Sequence, residues 1–138
     1  MALTPEIEQV LSLIDQAIER KYLRVEQIRR LAGSEESYRI IIREVDRVRA
    51  QLLYARSDHA EATLTLREWF TILDRFSWKC AYCGEKPFQI MSHVILRSVG
   101  GTTAENCVPS CHSCLAKPGK KVHSPATQTP QPDQPELS

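Results

Sequence analysis

Four cysteines in two short pairs, Cys80-Ala-Tyr-Cys83 and Cys111-His-Ser-Cys114, constrain this chain more than any other feature. Two residues between cysteines let both sulfurs turn toward one ion at about 2.3 Å. Two such pairs make a closed, all-thiolate set of four, the donor set of structural zinc rather than catalytic zinc. Gly84 follows the first pair, where a tight turn needs a permissive backbone. The fifth cysteine, Cys107, stands between Asn106 and Val108 in an apolar run and reads as a small core residue. An odd total counts against a complete disulfide framework, and paired spacing in a reducing compartment favours metal.

The cysteines divide the chain. Residues 1–57 contain neither Cys nor Trp and read as a helical segment; residues 58–121 hold all five Cys, both Trp and four of the five Gly; residues 122–138 carry four prolines and almost no apolar content. That last stretch cannot bury a core and is expected to be a disordered tail. The expected fold class is an α-rich α+β chain: N-terminal helices, then a small zinc-stapled module, then the tail.

The first helix has Thr4 as N-cap, Pro5 at its first position and an apolar stripe of Ile7, Leu11, Ile14 and Ile18. Ala32-Gly33-Ser34 breaks the pattern, and Ser34 caps a helix whose apolar face is Tyr38, Ile41, Ile42, Val45, Val48 and Leu52. A further break near residues 21–24 would leave a short helix from Val25, so the segment is either a helical hairpin or helix-turn-helix-like. Glu35 and Glu36 open the would-be recognition helix, where phosphates would repel them. Thr65-Leu-Arg-Glu68 is a capping-box pattern for a helix bearing Trp69, Phe70, Ile72, Leu73 and Phe76.

Lys plus Arg is 18 and Asp plus Glu is 17, a net charge of +1, which excludes nucleic-acid binding by bulk charge. Any such contact must come from a local patch: Lys117, Lys120 and Lys121 after the second pair, with Arg97 between the pairs. The apolar stripes of residues 5–57 offer a protein partner or a homodimer contact. No run of about 18 apolar residues or secretion signal is present, so no membrane contact and a cytoplasmic location are expected.

The 27 residues between the pairs contain Ser92-His93-Val94-Ile95-Leu96-Arg97-Ser98-Val99-Gly100-Gly101 and then Glu105-Asn106-Cys107-Val108-Pro109. With the four cysteines in register, residues 65–121 resemble the HNH endonuclease family in its four-cysteine zinc-knuckle subclass. The resemblance implies a ββα-metal fold of two short strands, a loop and a helix. It implies DNA phosphodiester hydrolysis, with His93 as general base, Asn106 holding the His loop, and Mg²⁺ or Mn²⁺ steadying the phosphate charge. The residue before the His and the residue after the last Cys supply metal ligands in the family. Here they are Ser92 and Leu115 rather than Asp and Asn or His, and Leu96 replaces the usual Pro. Serine is a weak neutral ligand and leucine is none. Glu85, Glu105 or His112 are the neighbouring groups that could substitute. Two functions therefore stand side by side: a DNA endonuclease, or a catalytically inactive zinc-structured binding or adaptor subunit of a larger nucleoprotein complex. His59 and His123 read as surface histidines.

Overall fold

A computed structural model describes residues 3–17 and 25–122. The tail from 123 onward with His123, the break near 21–24, and Ile18 of the first stripe lie outside the described residues.

Four helices come first: α1 (Pro5–Ala17), α2 (Val25–Ala32), α3 (Glu35–Ser57) and α4 (Leu66–Arg75). Each start has a local cause. Thr4 Oγ1 accepts the N–H of Ile7 at 3.2 Å. Gly33 turns the chain with φ +89°, and Ser34 Oγ accepts the N–H of Ser37 at 3.1 Å. At α4 the capping box closes both ways: Glu68 N–H donates to Thr65 Oγ1 at 3.0 Å, and Thr65 N–H donates to Glu68 Oε1 at 2.9 Å. A cap of this kind is worth about 1 kcal/mol.

The apolar stripes meet inside the chain. Ile7, Val10, Leu11 and Ile14 of α1 share one buried cluster with Ile41, Val45, Val48 and Leu52 of α3 and with Leu66, Trp69, Phe70 and Leu73 of α4. Met91 and Cys107 extend that cluster across the following sheet. Trp69 and Phe70 have no exposed surface, and burying an aromatic or large aliphatic side chain contributes about 1.5–3 kcal/mol. Phe70, Trp78 and Phe88 pack edge to face, with Phe70–Trp78 centroids 5.5 Å apart and Trp78–Phe88 centroids 6.0 Å apart.

Two short strands, β1 (Ile90–His93) and β2 (Cys107–Ser110), pair antiparallel, with His93 opposite Cys107 and Ile90 opposite Ser110. Between them lies the single turn α5 (Arg97–Gly100), and after β2 the single turn α6 (His112–Leu115). The protein is thus helix-rich with one small two-stranded sheet, and the sheet carries both candidate sites. No helix among the described residues is long and apolar enough to cross a membrane.

Candidate metal centre and the histidine loop

The first cysteine pair sits on a tight hairpin. Cys80 N–H donates to the Lys86 carbonyl at 2.8 Å, Gly84 N–H donates to the Cys80 carbonyl at 2.9 Å, and Gly84 takes φ +70°. The second pair brackets the first turn of α6, directly after β2. Ala81 N–H donates to the Pro109 carbonyl at 2.8 Å, which ties one knuckle to the other. The result brings the sulfurs of Cys80, Cys83, Cys111 and Cys114 within 4.8 Å of one another. A tetrahedron with bonds of about 2.3 Å has sulfur–sulfur edges of about 3.8 Å, so the four cysteines are positioned to bind one metal ion.

Their protonation fits that role. Burial works against the Cys80 thiolate, but N–H donors of Cys83, Cys111 and Tyr82 outweigh it and bring Cys80 down to about 6. Burial and the neighbouring thiols push Cys114 up to about 12. Cys114 is held protonated beside its neighbouring thiols, and a dication shared by the four sulfurs would supply the charge that lets it ionise. Soft sulfur donors in a closed set of four are consistent with structural zinc. Cys107 lies outside this group, buried in the main core, where burial raises its thiol to about 12.

His93 ends β1 and is half-buried. Its Nε2 lies 3.0 Å from Thr102 Oγ1, and Thr102 Oγ1 donates to the Gln51 carbonyl at 3.2 Å. The single Thr102 proton is spent on Gln51, so His93 Nε2 carries the proton and Nδ1 is left with its lone pair. Burial, followed by the Arg97 charge, lowers the His93 pKa below its ordinary 6.5 and keeps the ring neutral near pH 7.

Asn106 is buried and fastens the loop after His93. It accepts the Ile95 N–H at 2.7 Å and donates to the carbonyls of Ile95 at 2.9 Å and Gly101 at 2.8 Å. The glycine pair makes room for this clamp. A Cβ on Gly100 would lie 2.7 Å from Asn106 Nδ2, and one on Gly101 would run into the Glu61 backbone.

Among the described residues, the four thiols form the one cluster of three or more His, Cys, Asp or Glu with metal-binding geometry. Ser92 is buried with its Oγ 3.0 Å from the Tyr82 hydroxyl, and the Leu115 side chain is exposed. Glu85, Glu105 and His112 are exposed and gather around no common point with His93. Of the basic residues, Arg97 donates to Asp58 and Gln51, both at 3.3 Å, and lies over the Tyr54 ring. Lys120 folds back onto the Leu115 carbonyl and over Tyr82, while Lys117 and Lys121 are exposed. His59 is exposed, with φ 59°.

Sequence reasoning missed the polar network behind the sheet. Glu44 is buried on α3, accepting from Trp69 Nε1 at 2.9 Å and Arg47 Nε at 2.8 Å, and Arg47 also donates to the Gln89 carbonyl at 2.9 Å. The signal was present: Glu44 stands three residues after Ile41 and four before Val48, on the apolar face. A cavity of about 900 Å³ lies elsewhere, against Asp15, Arg67 and Arg75.

Searches of protein-family models, curated proteins and solved structures return no match to the chain.

Proposed function

We propose that the chain is a nucleic-acid-binding protein built on a zinc-stapled module of the HNH kind, with His93 held ready to take a proton from water. The observation that carries this reading is the joint fastening of His93 and its loop. The Gln51–Thr102 chain leaves Nδ1 unprotonated, the form a general base requires. Asn106 spans the loop with three hydrogen bonds, as expected of the middle asparagine in that family. Cys80, Cys83, Cys111 and Cys114 would hold the zinc, whose part is to brace the fold under β1 and β2.

DNA binding is the nearer half of this reading and cleavage the further half. Hydrolysis of a phosphodiester draws much of its rate from positive charge on the phosphate. Ser92 Oγ is taken up by Tyr82, and the Leu115 side chain has no oxygen, so a Mg²⁺ or Mn²⁺ would need other ligands. An adaptor role is the second reading, favoured by Val94, Ile95, Leu96 and Val99, each more than half exposed within six residues beside His93. Leu53 and Tyr54 of α3 are exposed as well.

The test is cleavage of supercoiled and linear DNA with Mg²⁺ or Mn²⁺, with His93→Ala alongside and gel shifts in EDTA. Cleavage lost in His93→Ala supports the nuclease. Binding without cleavage supports the non-cutting form. Neither binding nor cleavage overturns the nucleic-acid reading and leaves the adaptor.

A further inference from the structure

The loop that carries the chain from β1 into α5 turns its aliphatic side chains outward. Val94, Ile95, Leu96 and Val99 are 53%, 55%, 73% and 74% exposed, so four of the large exposed apolar side chains among the described residues fall within six positions. Tyr54 of α3, half exposed, joins them, because the Arg97 guanidinium of the same loop lies 5.0 Å over its ring. The backbone beneath is fastened. Asn106 holds both the N–H and the carbonyl of Ile95, and Val94 N–H donates to the Asn106 carbonyl at 2.9 Å. The Leu96 carbonyl accepts the N–H groups of Val99 at 2.9 Å and Gly100 at 2.8 Å. A loop already set in shape loses little conformational freedom when a partner covers it.

The charge at this surface is cancelled within the chain. Arg97 is the one ionisable residue among 94–101, and it donates to Asp58 Oδ2 and to Gln51 Oε1, both at 3.3 Å. The loop therefore offers no free cation to a phosphate and no acid to a basic partner. A neutral apolar surface is complementary to another like itself. Its size fits as well. Five side chains at these exposures present on the order of 500 Å² of largely apolar surface, the range in which such patches mark interaction sites. Two copies face to face would cover about 1,000 Å², the lower bound for a specific contact between proteins. The apolar stripes of α1 and α3 are already spent on the chain's own core, so a contact between copies needs a different surface.

We propose that the 94–99 loop, with Tyr54, is a two-fold contact between two copies of this chain. In such a contact the same patch serves both copies, so one surface suffices and assembly stops at two. Leu96 and Val99, the most exposed of the five, would be its anchors, with the Arg97–Asp58 pairs at the rim. A contact near the lower size bound is a dissociable one, so the dissociation constant should be on the order of micromolar. Val94 follows His93 directly, so the pair would set the two copies of His93 beside one contact. The inference does not rest on His93 acting as a base and holds for a nuclease and a binding protein alike.

Sedimentation velocity on the zinc-loaded full chain, from about 1 to 300 μM, reads the contact directly. The mass is expected to rise from 15.7 kDa toward twice that value and to stop there. Leu96→Asp and Leu96→Lys each put like charges on both faces of the contact and should weaken pairing about tenfold or more. Mixed in equal amounts, the two variants should pair again. Val99→Ser should weaken pairing without adding charge. Both positions are mostly exposed, so zinc content and melting temperature should match those of the natural chain. A monomer at every concentration, growth past two copies, no recovery in the mixture, or pairing unchanged in Leu96→Asp and Val99→Ser overturns the proposal. Gel shifts on duplex DNA with the same variants report the nucleic-acid reading separately. A chain that stays monomeric and loses DNA binding in Val99→Ser would give the patch to nucleic acid and overturn the contact between copies.

Discussion

The Asp15 carboxylate of α1 accepts the first backbone N–H of α4, that of Leu66, at 2.7 Å, and its second oxygen accepts the N–H of Arg67 at 3.1 Å. Thr65 Oγ1 covers the N–H of Glu68 and Glu68 Oε1 that of Thr65, so all four open donors at this helix start are met, two of them from 51 and 52 residues away. Burial raises the Asp15 carboxyl above its ordinary 3.8, outweighing the two N–H donors that lower it. The folded chain therefore holds this proton more tightly than the unfolded chain. The resulting stabilisation is whole below about pH 4 and fades as pH rises through the raised folded value. Asp15→Asn lacks this titration. In urea melts across pH, the stability of the natural chain minus that of Asp15→Asn should fall from about pH 4 upward; a difference that grows with pH contradicts the account. Asp15→Ala should follow the same pH trend and cost about 1 kcal/mol through the lost cap, most of it below about pH 4.

Removing metal should separate the two buried clusters. Residues 77–116 have a small core of their own, made largely of the ligands Cys80, Cys111 and Cys114 with Ala81, Tyr82 and Val108. A chelator strong enough to strip zinc should abolish the near-UV signal of this region, because binding energy is folding energy in such modules. Elemental analysis should return one zinc per chain, zinc retained in Cys107→Ser and lost in Cys80→Ser. Equal retention in both variants would remove the four-thiol assignment.

The parts legible in the sequence were those with local causes. Thr65 and Glu68 are three residues apart and cap each other; the cysteines of each pair are three apart and face one centre. Asp15 and Leu66, Glu44 and Trp69, and Thr102 and Gln51 are pairs that only the packed chain brings together. A charged residue within a helical stripe reads as solvated face until its distant partner is known. Ser92 shows the same limit: its identity marked a departure, but its bond to Tyr82 is a tertiary fact.

Glu44 gives a sharp stability test. It is 2% exposed and answers two donors at once, Trp69 Nε1 and the Arg47 guanidinium. Glu44→Ala leaves Trp69 Nε1 without an acceptor and Arg47 with only the Gln89 carbonyl, and should cost about 3 kcal/mol in chemical denaturation. Glu44→Gln keeps one acceptor and should cost less. Arg47→Ala strips the neutralising partner from a buried acid and also frees the Gln89 carbonyl, so it should approach the cost of Glu44→Ala. A neutral Arg47→Ala would instead mean that water reaches the Glu44 carboxylate despite its burial.

Asn106 offers the clearest division between holding the loop and holding the fold. Its amide satisfies the Ile95 N–H and the carbonyls of Ile95 and Gly101, all on the loop that follows His93. Asn106→Ala removes three hydrogen bonds and should cost about 2–4 kcal/mol, with the loss concentrated in residues 94–101. Amide exchange should therefore quicken at Ile95 and the α5 turn while α1 and α3 stay protected. Gly100→Ala presses a methyl against the same Asn106 amide and should quicken the same loop by a different route. Zinc content should be unchanged in both, because the four thiols hang from β2, α6 and the first hairpin rather than from this loop. Uniform loss of protection through α1 and α3 would instead make Asn106 part of the global core.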